Sequence, residues 1–186
     1  MKNYLFSVSC TVALALLVLC GRETAAQTDL PPCKSQRSFH NCWGTFTWPN
    51  GNRYEGEWWY DKPNGRGNYV LANGDTYSGG VEDGVFKGRG IYINNPQGPF
   101  GGQRYEGGFR AGRRDGEGVM NYKNGDRYVG EFKADKKNGK GTLFFASGAK
   151  FIGTFKDGKR NGEGTLYASS GSIEREGRWK DDVFVD

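Results

Sequence analysis

An aromatic residue is followed thirteen positions later by a glycine, and the interval returns five times: Tyr54 to Gly67, Tyr77 to Gly90, Tyr105 to Gly118, Tyr128 to Gly141 and Phe151 to Gly164. The aromatic anchors are 23, 28, 23 and 23 residues apart. A fixed short period constrains a fold more than local propensity does. Each unit is a small piece of structure that can bury its apolar side only against its neighbours. The array takes up nearly all of the chain after residue 42, which leaves little for a separate catalytic domain.

Helix is excluded by composition. There are 31 glycines, all but Gly21 beyond residue 26, and each costs a helix about 1 kcal/mol relative to alanine. The unit reads as G-x-G-x-apolar, a short turn, then Y-x-G-x-aromatic. The turns are Asn50-Gly51, Asn73-Gly74, Asn124-Gly125, Ser147-Gly148 and Ser170-Gly171. Asn-Gly between alternating apolar runs predicts a two-residue hairpin turn with both residues at positive φ. Six hairpins follow, at about 43–58, 66–81, 89–109, 117–132, 140–155 and 163–179, the third with the insertion NNPQGPFGGQ at its tip.

Period-two alternation assigns the faces. Tyr128, Gly130 and Phe132 point one way, and Arg127, Val129, Glu131 and Lys133 the other. The first face collects Tyr54, Trp58, Tyr77, Tyr105, Phe109, Tyr128, Phe132, Phe151, Phe155 and Trp179. The second is mostly charged. Glycine within a strand is costly unless something packs over it, so a neighbouring ring is expected across the bare backbone.

The phrases RYEGEWW, RYEGGF and RYVGEF, each followed by G-x-G and an Asn-Gly or Ser-Gly turn, make residues 42 to 180 resemble the MORN repeat. The resemblance implies an all-β, elongated, twisted antiparallel meander of about six stacked hairpins, a single layer whose aromatic face is grooved. It also implies a binding or scaffolding role, with lipid contact proposed for some members. The chain departs from the pattern in the long third tip, in Val81 where an aromatic is usual, and in Cys42 where the first glycine belongs.

The organisation expected is a signal peptide over 1–26, a cap segment over 27–41 and the repeat domain over 42–186. Lys2, an apolar run from Leu5 to Cys20 and the small residues Thr24-Ala25-Ala26 form an export-signal pattern. The run is shorter than the ~18 residues of a spanning helix. An uncleaved anchor is the alternative. So is a lipoprotein at Cys20, although Leu19 stands where a small residue belongs. Export to a periplasm or secretion follows. Beyond the leader only Cys33 and Cys42 remain, and an even pair in an exported chain predicts a disulfide, with free or metal-bound thiols as the competing state. Within the resemblance, Cys42 fits a terminal cap that ties the preceding segment over the open edge of the array.

The catalytic search is negative: there is no G-x-S-x-G, phosphate loop or H-E-x-x-H. Gly139 to Thr142 is a repeat strand, and Glu55 with Glu57 reads as an ion-paired surface. No enzyme activity, cofactor or metal is expected. The net charge of +5 is too small to imply nucleic acid. Charge is nonetheless uneven, because the edge opposite the Asn-Gly tips gathers Arg110, Arg113 and Arg114, then Lys133, Lys136 and Lys137, then Lys156, Lys159 and Arg160. Four such cations on an anionic lipid surface supply ~4 kcal/mol, or roughly millimolar affinity, too weak alone. The sequence therefore predicts a binding protein that offers an aromatic groove and a basic edge to a macromolecule. A protein is the first choice of partner. An anionic membrane, an envelope glycan bound or degraded, and self-association are the alternatives.

Overall fold

The repeat builds one antiparallel sheet of 13 strands in chain order. The computed structural model describes residues 29–34 and 38–186; the leader expected over 1–26 lies outside them. β1 (Cys42–Thr47) and β2 (Arg53–Trp59) make the first hairpin, and β3 (Lys62–Val70) and β4 (Thr76–Glu82) the second. β5 (Val85–Ile93) and β6 (Arg104–Arg110) carry the inserted tip. β7 (Arg113–Asn121), β8 (Arg127–Lys133), β9 (Lys136–Phe144) and β10 (Lys150–Lys156) follow. β11 (Lys159–Tyr167) and β12 (Ile173–Lys180) form the sixth hairpin. A short β13 (Val183–Phe184), not anticipated from the repeat, adds half a unit beyond it. No helix occurs among the described residues, so the sheet is a single layer.

The two ends of the strands are closed by different turns, and not as the sequence predicts. At the first tip Trp48 N donates to Asn52 O (2.8 Å) and Gly51 N to Trp48 O (2.9 Å), which makes a three-residue loop. Only Gly51 is left-handed there, at φ 89°. Asn50 instead uses its side-chain oxygen to accept Asn52 N at 3.0 Å, fixing the turn that the glycine then leaves. The two-residue turns with both φ positive lie at the opposite edge: Asp83-Gly84 (49° and 81°), Ala111-Gly112 (49° and 76°) and Asp157-Gly158 (52° and 91°). The connections between the expected hairpins, such as 82–88 and 110–116, are therefore mostly strand.

A bulge recurs beside five of the turns at this edge. Gly56 faces Gly67, but Trp58 faces Pro63, so the returning strand carries extra residues including Gly65. The same irregularity falls at Gly79/Val81, Gly107/Phe109, Gly130/Phe132 and Gly153/Phe155. The anchor tyrosines serve these bulges. Tyr54 Oη donates to Glu57 O (3.0 Å), Tyr77 to Gly80 O (2.7 Å), Tyr105 to Gly108 O (3.0 Å) and Tyr128 to Glu131 O (3.1 Å). A buried carbonyl without a donor would cost roughly 1–3 kcal/mol.

The core is a line of rings on one face. Tyr54, Tyr77, Tyr105, Tyr128 and Phe151 are fully buried, and Trp58, Phe109, Phe132, Phe155 and Trp179 nearly so. From Tyr105 onward each anchor ring meets one from its own hairpin and one from the next at a steep angle. Tyr105 stands 5.2 Å from Phe109 at 86° and 5.0 Å from Phe132 at 79°. Such edge-to-face pairs each add about 0.5–1.5 kcal/mol beyond the area they bury. At Val81 the missing ring is replaced from across the bulge, where Phe86 stacks on Tyr77 at 3.8 Å.

Both ends of the line are covered. Cys33 and Cys42 form a disulfide, and Pro32 pairs in parallel with Trp43 on the outer side of β1. Phe39 then packs on Trp58 at 4.4 Å, its backbone held to Asp61 by two hydrogen bonds. At the far end Phe184 covers Trp179 at 5.3 Å.

Candidate functional site

The rings expected to line the aromatic groove are buried as the core, packed edge to face from Tyr105 onward. What covers them is a second column, nine residues after each anchor: Pro63, Phe86, Arg114, Lys137 and Arg160, with Phe184 continuing it. The two-residue turns set each of these residues directly opposite a ring-face residue of the preceding strand, Phe109 to Arg114, Phe132 to Lys137 and Phe155 to Arg160, and alternation along the returning strand keeps them on that face.

This divides the nine cations of the basic edge. Arg114 lies over the Tyr105 and Phe132 rings (5.7 and 5.8 Å), Lys137 over Tyr128 and Phe155 (5.6 and 5.1 Å), and Arg160 over Phe151 and Trp179 (5.6 and 4.3 Å). Arg114 and Arg160 are further tied down. Arg114 Nε donates to Asp135 Oδ1 at 3.1 Å, and Arg160 Nε to Asp182 Oδ1 at 3.1 Å. Burial pushes the Lys137 ammonium below its ordinary value; Asp182 and Asp126 oppose the shift and Arg160 reinforces it. These three side chains roof the core. Their alignment with Pro63 and Phe86 in the repeat is the signal that could have revealed it.

The other six point away from the rings and stay in solvent: the Arg110 side chain is 79% exposed, against 28% for Arg114. They stand as directly opposed pairs across the two-residue turns, Arg110 facing Arg113, Lys133 facing Lys136 and Lys156 facing Lys159. Lys180, which the sequence reading did not single out, occupies the same place at the end of β12. Like charges directly opposite on a sheet cost stability. Carboxylates offset part of this, with Arg110 bonded to Asp115 (2.9 Å), Lys136 to Asp157 (3.2 Å) and Lys159 near Asp181 (4.0 Å). Among the described residues no carboxylate lies within 4 Å of Arg113, Lys133, Lys156 or Lys180.

Two further regions bear on recognition. The inserted tip leaves a depression of about 430 Å³ on the ring face, walled by Phe86, Tyr92, Phe100, Tyr105, Arg114 and Met120. The tip is anchored by Asp75, the buried acid, which accepts from Tyr92 Oη (2.7 Å), Asn95 N (2.7 Å) and Asn73 Nδ2 (2.9 Å). The outer face is less charged than alternation suggests. One rung runs Glu106, Val119, Val129, Thr142, Ile152 and Thr165 across six neighbouring strands. Beside it a trough of about 730 Å³ is lined by Arg89, Glu106, Val119, Val129, Glu131 and Lys140. Glu55 and Glu57 are taken up by Arg53 (2.8 Å) and Arg66 (3.5 Å).

A family model described as the MORN repeat matches six stretches, residues 44–53, 54–76, 77–95, 105–127, 128–150 and 151–173. No curated protein matches the chain. Among solved structures, the TCP10 domain of Danio rerio CPAP is 14% identical, with 73% of this chain and 66% of that one covered, just under two thirds of it, at a TM-score of 0.33. The SAS-4 TCP domain of Drosophila melanogaster, solved in complex with a proline-rich motif of Ana2, is 14% identical over 81% of this chain and 99% of that one, at 0.35. At such values these likenesses bear on nothing further.

Proposed function

This chain belongs to the MORN-repeat family, whose repeats serve binding and scaffolding, and on that premise we propose that it is an exported, non-enzymatic binding module. Its partner is a protein, met by the basic edge and the neighbouring outer face. The observation that carries this reading is the set of opposed cations Arg110/Arg113, Lys133/Lys136 and Lys156/Lys159. In isolation they repel, and an anionic partner turns that cost into attraction. The rings do not compete for the role, because packing the core occupies them. Export to a periplasm or extracellular space is supported by the apolar leader over Leu5 to Cys20 and by the Cys33–Cys42 disulfide, which belongs in an oxidising compartment.

The test is crosslinking of the exported protein in its native envelope or secretion, comparing the natural chain with Lys133→Gln/Lys156→Gln. A crosslinked protein species lost in the variant is the expected result. Crosslinks confined to lipid or glycan would move the assignment to those partners, and the appearance of a turned-over product would end the non-enzymatic reading.

A further inference from the structure

The basic edge is an ordered ladder, and its geometry selects the form of the partner. The last residues of β2, β4, β6, β8, β10 and β12 occupy one column of the repeat: Trp59, Glu82, Arg110, Lys133, Lys156 and Lys180. The column is uncharged, then acidic, then cationic four times in succession. Lys133 and Lys156 sit beside the cations Lys136 and Lys159 across their turns. Charge therefore marks off the C-terminal half of the sheet as a strip in which cations outnumber the turn carboxylates Asp157, Asp181 and Asp182 that partly neutralise Lys136, Lys159 and Arg160.

Two numbers describe that strip. Successive rungs are two strands apart, so cations recur every ~9.6 Å along the sheet. Strands in a sheet also rotate by about 20–25° each, which turns neighbouring rungs by about 40–50° and the four-rung ladder by about 120–150°. A flat lipid surface meets only one or two rungs of such a ladder at once. A flexible chain can follow all of them. A polyproline II chain has three residues per turn and rises ~3.1 Å per residue, so every third side chain recurs on one side at ~9.3 Å. That matches the rung spacing, whereas a β-strand presents one side every ~6.6 Å. Single-stranded nucleic acid would need stacking platforms, and the ring line is buried on the other face.

We propose that the ladder Arg110–Lys133–Lys156–Lys180 binds an extended acidic polypeptide segment that crosses the strands with a carboxylate at every third residue. The inference rests on the binding-module reading above and specifies its ligand. The segment lies in polyproline II form along the turn edge, each carboxylate meeting one rung. Arg113, Lys136 and Lys159 thicken the strip.

Fluorescence anisotropy with the full chain tests this, using a labelled peptide of four Glu-Pro-Ala triplets and an isomer of the same composition with its glutamates contiguous. The triplet peptide should bind at least about fivefold more tightly, the worth of one lost ion pair. K133Q/K156Q/K180Q should weaken it by about ten- to a hundredfold, with an unchanged circular dichroism spectrum, and R104Q/R127Q at the other edge by less than about twofold. Equal affinity for the two isomers, no loss in the triple variant, or binding to phosphatidylserine vesicles without binding to the peptide would overturn the proposal. If those lysines still govern protein crosslinking in the native setting while both peptides are ignored, the acidic-segment assignment falls and the binding-module reading stands. If both experiments fail, both readings fall.

Discussion

Tyr105 lies over Gly118 of the adjacent strand, at a distance no other residue type allows. A Cβ built on Gly118 would stand 2.5 Å from both Cε2 and Oη of the ring. The same relation holds at Gly90 under Tyr77, where the distance to Cε2 is 2.5 Å. The thirteen-residue interval in the sequence is this contact, repeated at each of the five junctions between successive hairpins.

Gly118→Ala should therefore destabilise by about 1–3 kcal/mol, since the ring is packed on all sides and cannot withdraw. Chemical denaturation would show it as a lower midpoint at unchanged slope. An alanine accommodated with no loss would mean that the ring-on-backbone contact does not hold the hairpins together.

Asp75 clips the second tip to the third. Burial alone would raise its pKa, but hydrogen bonds from Asn95 N, Tyr92, Asn73 and Asn94 outweigh that and hold it below the ordinary 3.8. A depressed carboxylate contributes stability that is present above its unfolded value and lost as pH falls through the folded one. Asp75→Ala should cost about 2–4 kcal/mol, as several charge-assisted bonds disappear together. Hydrogen exchange at the Asn95 amide should accelerate. The wild type should lose stability as pH falls below about 3.8, and Asp75→Asn should show less of that loss.

Alkaline pH should unfold the sheet through its tyrosines. Burial pushes Tyr69 and Tyr105 from 10.0 up to about 12, and Tyr54, Tyr77, Tyr92 and Tyr128 higher still. A raised folded-state pKa gives stability that is complete below pH 10 and lost as pH climbs through the folded value. Lys137, depressed by burial, works the other way and gains on deprotonation. With seven raised tyrosines, Tyr122 included, against one lysine the tyrosines win. Thermal unfolding followed at rising pH should show a falling midpoint from about pH 10 to 12, with tyrosinate absorbance appearing together with the loss of structure.

Reducing the Cys33–Cys42 disulfide releases a loop closed over a sequence separation of 9. The chain-entropy model gives about 2–3 kcal/mol for a loop of this size. The loss should be local at first, because Phe39 and its bonds to Asp61 depend on that closure. Tryptophan emission should move to the red as Trp58 is uncovered, while the far-UV spectrum of the distal hairpins persists.

The sequence by itself determined the sheet, its period, the number of hairpins and the membership of the ring line. Each of these is a local rule repeated: alternation sets the face, glycine marks the place beneath a ring, and the interval sets the register. The exchange of turn types was not legible. Asn-Gly serves both a two-residue turn and the last two residues of a three-residue one, and only the backbone pairing to Asn52, Asp75 or Asp126 distinguishes them. From that exchange the rest follows. The two-residue turns set Arg114, Lys137 and Arg160 opposite Phe109, Phe132 and Phe155 on the ring face and leave Lys133, Lys156 and Lys180 in solvent. Cations that look equivalent in the chain thus become a roof and a ladder, because pairing between strands, not spacing along one, decides which face a side chain meets.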